Sequence, residues 1–112
     1  MKLFCILSFF IFSGCIARAQ LRQEPDSSKK LMVVEAACGQ CMFGLEGKTC
    51  DLSVKINGTA MFVDGTGIDD HGDAHEKEGF CNAVRKAEVQ GEIINYRFRL
   101  TYFKLLQPDK RK

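Results

Sequence analysis

From Leu31 to Leu106 the chain is built of short apolar runs separated by polar breaks, and most of the runs have the length of strands. Leu31 to Ala37 is apolar and partly β-branched, which predicts a first strand. From Asp51 to Ile56 the side chains alternate, with Leu52, Val54 and Ile56 on one face and Ser53 and Lys55 on the other. Asn57-Gly58 follows, a pair that tolerates the positive φ of a two-residue hairpin turn, and Thr59 to Val63 returns as the partner strand. Asp64-Gly65-Thr66-Gly67 ends that hairpin. Phe80, Ala83, Val84 and Ala87 then fall at i, i+3, i+4 and i+7, which predicts a helix over about residues 78–87. Gly72 and Gly79 oppose a longer helix reaching back to Asp69. Glu88 to Ile94 and Arg97 to Leu106 predict a second hairpin, in which Phe98, Leu100 and Tyr102 alternate with Arg97, Arg99 and Thr101. Met42 to Thr49, with Gly44 and Gly47, reads as a loop.

The predicted order is strand, two-stranded hairpin, helix, two-stranded hairpin. A mainly β chain with one helix between its third and fourth strands is the element order of a small five-stranded OB-like barrel. An open α+β sheet is the alternative. The single domain spans residues 31–107, after a polar lead-in at 20–30 that contains Pro25 and is expected to be flexible, and before a basic tail at 108–112.

The N-terminus changes the accounting of composition. Lys2, the apolar run Leu3 to Phe12 and Ala17-Arg18-Ala19 have the layout of a secretory signal with an A-x-A cleavage site, so residues 1–19 are expected to be removed. The apolar run is too short to span a bilayer. A competing reading takes Phe12-Ser13-Gly14-Cys15 as a lipoprotein box with the lipid on Cys15, although Phe12 is unusual there. The expected location is secreted or periplasmic, lipid-anchored only in the second reading. Of the 16 basic residues, Lys2 and Arg18 leave with the signal, so 14 remain against 14 acidic ones. That balance argues against nucleic acid as a partner. A small monomer that takes a metal ion or a protein partner is the expectation.

The candidate chemistry is concentrated in cysteines and in one polar stretch. Cys38, Cys41, Cys50 and Cys81 remain in the mature chain. In a small exported domain four cysteines are read first as a disulfide framework, with three possible pairings. The C-x-x-C of Cys38 and Cys41 also offers two soft ligands from one turn, and the four together make a zinc or copper site possible in kind. Catalytic thiol exchange needs the first cysteine at the start of a helix, and Met42-Phe43-Gly44-Leu45 is a poor helix start. The stretch Asp69 to Cys81 holds both histidines and many carboxylates. On a helix, His71 and His75 would share a face and chelate a metal, with Asp69, Asp70, Asp73 and Glu76 as further oxygen donors. The bland alternative is a solvated acidic loop. The H-E-x-x-H pattern is absent, as is any phosphate-binding glycine loop. These residues point to a non-enzymatic exported binding domain with a Cys/His face, whose metal ligands are drawn from His71, His75, Cys38, Cys41, Cys50 and Cys81. Two alternatives stand beside it: a thiol–disulfide protein using Cys38 and Cys41, and an interaction module whose cysteines are all bridged.

Three motifs carry a family resemblance: Glu-Ala-Ala-Cys-Gly-Gln-Cys at 35–41, Val-Asp-Gly-Thr-Gly-Ile-Asp-Asp-His-Gly-Asp-Ala-His at 63–75, and Gly-Phe-Cys-Asn-Ala-Val-Arg-Lys-Ala-Glu-Val-Gln-Gly-Glu at 79–92. Through them residues 35–106 resemble an uncharacterised family of small exported bacterial proteins, a domain of unknown function. The resemblance implies no catalytic residues. It leads us to expect Asn-Gly where Asn95-Tyr96 stands, and Tyr96 is a costly residue at positive φ, so a different turn is expected there.

Overall fold

The computed structural model describes residues 21–108. The expected signal segment, Cys15 and most of the basic tail lie outside the described residues. Five strands form a closed barrel: β1 (Met32–Cys38), β2 (Leu52–Ile56), β3 (Thr59–Asp64), β4 (Arg85–Ile94) and β5 (Arg97–Leu105). Their order around the barrel is β1-β2-β3-β5-β4, closed by antiparallel pairing of β1 with β4. β3 and β5 pair in parallel, and the other neighbours are antiparallel. This is the strand order expected of an OB-like barrel.

The alternation seen in the sequence becomes the inside and outside of the barrel. Val34 and Ala36 of β1, Leu52 and Val54 of β2, Met61 and Val63 of β3, and Ala87 and Val89 of β4 all point into one core. Phe98, Leu100 and Phe103 complete it from β5. The step from Leu100 to Phe103 breaks the expected alternation. Gln90 opposes Tyr102 while Gly91 opposes Leu100, so Thr101 is an extra residue on β5. This bulge brings Phe103 into the core cluster and leaves Tyr102 outside that cluster but still buried, and the backbone of Arg22 pairs with the strand at Tyr102. The lead-in is tied down further by Gln90, which is buried. Its side-chain amide accepts from the Asp26 N–H at 2.8 Å and donates to the Asp26 carbonyl at 2.8 Å and the Lys29 carbonyl at 3.1 Å.

Both hairpin turns have two residues at positive φ: Asn57 (50°) and Gly58 (83°), then Asn95 (52°) and Tyr96 (63°). The second turn therefore does not differ in kind from an Asn-Gly turn. It accepts the strain of Tyr96 instead, with the tyrosine almost wholly in solvent.

The helix expected over residues 78–87 is not formed. Residues 65–84 are a chain of turns, and β4 has begun by Arg85. Of the four residues on the expected helix face, Phe80 and Ala87 are buried but Val84 is exposed. Ala87 belongs to a strand, paired with Val34 and Leu105. A Cβ at Gly79 would lie within 2.4 Å of the carbonyl oxygens of Ala74 and Asp73, so the backbone folds back on itself more tightly than a helix would. Local bonds hold this shape, including Glu76 N–H to Asp73 C=O at 3.2 Å and Cys81 N–H to Ala74 C=O at 3.0 Å. Phe80 plugs the core in place of a helix. Among the described residues the one helix is α1 (Gly39–Met42), a single turn between β1 and β2.

Candidate metal centre

Four segments meet where β1 ends. Cys38 is the last residue of β1 and the N-cap of α1, and Cys41 lies within α1. Cys50 stands two residues before β2, and Cys81 follows the core plug Phe80. Barrel closure brings the last of these into place. The pairing of Ala36 with Arg85 sets the start of β4 beside the end of β1, and the Cys38 N–H donates to the Phe80 carbonyl at 2.9 Å. The pairing of Cys38 with Leu52 sets Cys50 just beyond the same end. Helix α1 can lie this close because residue 39 is glycine: a Cβ there would meet Ser53 Oγ at 2.2 Å and Phe62 at 2.9 Å.

The result is four Sγ atoms all within 4.8 Å of one another. All four cysteines are free thiols in this structure. The Cys41 and Cys50 sulfurs are 3.8 Å apart. Four sulfurs at a zinc–sulfur bond length of about 2.3 Å form a tetrahedron with edges of about 3.8 Å. The donor set is thus soft in kind and complete in number, and its Cys41–Cys50 edge has the length that one tetrahedral ion requires.

The polar surroundings of the sulfurs fit the same use. The Cys41 N–H points at Cys38 Sγ at 3.4 Å, a backbone donor that stabilises a thiolate. Burial is the largest influence on Cys38 and pushes its thiol up, yet the Cys41 backbone N–H, the Cys41 and Cys50 thiols and the Gln40 backbone N–H together bring it below its ordinary value. Cys41 shares its proton with Cys38 and then with Cys50 and is pushed up to about 11. Burial first, then Cys50, pushes Cys81 up to about 12. Closely packed thiols can lose a first proton readily and the later ones only with a cation present to balance the charge.

This arrangement is poor for thiol–disulfide exchange. A nucleophilic first cysteine must be reachable, and here Cys38 is fully buried while Cys41 is the exposed member. A helix of one turn also supplies little N-terminal field.

The histidines are placed elsewhere. No helix runs through residues 71–75, so the two do not share a helix face, and neither belongs to the sulfur cluster. His71 is half-buried, tilted against the Phe103 ring at 4.3 Å between centroids and edge-on to Phe80 at 6.3 Å. Its Nε2 is 2.9 Å from Thr66 Oγ1. Burial holds its pKa below the ordinary value, with Asp70 opposing. His75 is in solvent, 3.8 Å from Asp73. Asp70 caps the turn before it, accepting from the Gly67 N–H at 2.6 Å and from Thr66 Oγ1 at 3.1 Å. Of the polar stretch 69–81, Cys81 alone reaches the sulfur cluster.

Two residues of the centre, Gly39 and Gln40, were not singled out by the sequence. The close packing of Gly39 leaves a faint signal, a glycine directly after the first cysteine. Gln40 leaves none, because its partner Asp51 is eleven residues away.

A model for a family of unknown function (DUF6370) matches residues 32–106, from the first residue of β1 to just past β5, and includes all four cysteines. No curated protein and no solved structure matches the chain.

Proposed function

The chain belongs to that family of unknown function, and from its own residues we propose that it is a non-enzymatic metal-binding domain whose four cysteines hold one zinc ion. The observation that carries this reading is the convergence of four Sγ atoms within 4.8 Å, with the 3.8 Å edge of a four-thiolate site. A closed set of four protein ligands leaves no position for substrate, which separates a binding or structural centre from a catalytic one. Bound metal would tie β1, α1, the start of β2 and the loop 65–84 together at one end of the barrel. Copper(I), also thiophilic, is the competing ion. We place the domain outside the cytoplasm, on the signal-like layout of residues 1–19.

The test is intact mass of the mature protein under native and denaturing conditions, with thiol alkylation after denaturation. Four alkylatable cysteines and a native mass excess equal to one zinc, lost on denaturation, is the expected result. A denatured mass four hydrogens light with no alkylation would mean two disulfides, and the domain would then be a bridged interaction module. Replacing any one of the four cysteines by serine should lower zinc affinity, whereas His71→Ala with His75→Ala should leave it unchanged.

A further inference from the structure

Gln40, the residue before Cys41 in the C-x-x-C turn, is the only side chain that joins that turn to the segment carrying Cys50 through paired hydrogen bonds among the described residues. Its amide acts as a substitute peptide group. Oε1 accepts from the Asp51 N–H at 3.0 Å, and Nε2 donates to Asp51 Oδ2 at 2.7 Å. The Cys38 thiol also points at Oε1, 3.5 Å away. Thr49 Oγ1 holds the same Asp51 oxygen at 2.8 Å. Gly47 closes over the amide, where a Cβ would meet Nε2 at 2.7 Å. Asp51 is the neighbour of Cys50. The chain between Phe43 and Cys50 has no helix or strand, and it passes through Gly44 and Gly47 at positive φ. The loop's own tie to α1 is the Leu45 N–H, which donates to the Gly39 carbonyl at 3.0 Å, five residues short of Cys50.

We propose that Gln40 is a positioning residue that sets the metal preference of the centre: by clamping Asp51 it presents Cys50 as the fourth sulfur, which favours a tetrahedral dication such as zinc over copper(I). Copper(I) is satisfied by two or three thiolates, so it gains little from a preplaced fourth. Zinc gains the whole of that preorganisation, because the cost of ordering the loop is met before the ion arrives. This inference rests on the four-cysteine reading given above.

The experiment uses the metal-free full chain and three probes: zinc, copper(I) and cobalt(II), whose sulfur-to-cobalt absorption reports the number of thiolates bound. Gln40→Ala removes the clamp but leaves the backbone bond from the Gly39 N–H to the Asp51 carbonyl, at 2.9 Å, to hold α1 in place. We expect zinc affinity to fall about 10- to 100-fold, the range seen when a residue that orients a metal ligand is lost. Copper(I) affinity should stay within a few-fold, and the sulfur-to-cobalt band should lose about a quarter of its intensity, one thiolate of four. The double variant Gln40→Glu with Asp51→Asn reverses donor and acceptor across the same contact and should restore both the band and the preference for zinc. A four-thiolate cobalt spectrum in the unaltered protein, together with an unchanged zinc-to-copper(I) preference in Gln40→Ala, would overturn the inference and leave the metal centre standing. A spectrum without four thiolates in the unaltered protein would remove the metal-centre reading itself. If Gln40→Ala does not fold, the double variant decides: recovery of the zinc preference supports the clamp, and its loss with the fold intact overturns it.

Discussion

Zinc binding should be strongly linked to pH, and the structure sets a lower limit on the linkage. Thiols bind a metal as thiolates, so every sulfur that still carries a proton in the free protein must release it on binding. Cys41 is pushed up to about 11 by its shared protons with Cys38 and Cys50, and Cys81 to about 12 by burial and then Cys50. Between about pH 6 and pH 8, far below both values, these two groups are protonated in the metal-free chain, so at least two protons leave with each zinc bound. Each proton contributes a factor of ten per pH unit. The apparent dissociation constant should therefore fall at least about 100-fold for each unit the pH rises through that range. The sign follows from mass action: lower pH supplies the competing proton and weakens binding. The assay is competition against a chromophoric chelator at several pH values, with the chelator's own protonation subtracted. A direct count of released protons in weak buffer should run alongside. Cys81→Ser should lower the count by one as well as weaken binding. A count of one or fewer in the unaltered protein, or a slope that Cys81→Ser leaves unchanged, would refute the reasoning, because it would mean that the packed thiols are already ionised or do not ligate together.

Three further outcomes can be checked on the metal-free chain. A Cβ at Gly91 would sit 2.1 Å from the Arg99 carbonyl oxygen at the bulge, so Gly91→Ala should cost about 1–3 kcal/mol in chemical denaturation; an unchanged midpoint would show that the bulge yields freely. Tyr96 has φ 63° and is 93% exposed, so it meets left-handed strain with little packing in return. Tyr96→Gly should raise stability by about 0.5–1 kcal/mol, the relief of that strain less the chain entropy of glycine, and a loss in Tm would mean that the ring makes contacts. His71 is held below its ordinary 6.5 by burial, with Asp70 opposing. The unfolded chain then takes up that proton first as pH falls, so its contribution is complete above about 6.5 and is lost as pH falls through the folded value. The fall in denaturation midpoint from pH 7 to 5 should be shallower in His71→Gln, and an equal fall in both proteins would show that the ring is not shielded.

Most of the barrel was legible in the sequence because alternation is a local property. Leu52, Val54 and Ile56 against Ser53 and Lys55 state a strand with one core-facing side, though Ser53 on the other side is buried too, against α1, and Asn57-Gly58 states the turn that reverses it. Five such strands in that order fit a barrel and an open sheet alike, and the pairing of β1 with β4 decides for the barrel. Two local readings failed because a non-local partner intervened. Phe80, Ala83, Val84 and Ala87 have helical spacing, but Ala87 is claimed by cross-strand pairing with Val34 and Leu105, and Gly79 lets the chain fold back on Ala74. Tyr102 keeps the expected alternation in sequence and loses it in space, because Thr101 bulges from β5.

The same division holds at the candidate site. The sequence by itself named the four cysteines, since residue type and the C-x-x-C spacing are visible in one dimension. It grouped the two histidines with them on proximity along the chain, and the fold sets His71 against Phe103 and His75 in solvent. Only the tertiary structure decided which of these side chains meet. Cys81 reaches Cys38 across 42 intervening positions because β1 pairs with β4 and the Cys38 amide is bonded to Phe80. Cys50 reaches Cys41 because the β1–β2 register and the Gln40–Asp51 pair bring it there. A chain's local pattern can fix the faces of its strands, but the meeting of distant side chains depends on strand register and barrel closure, which no short window of sequence contains.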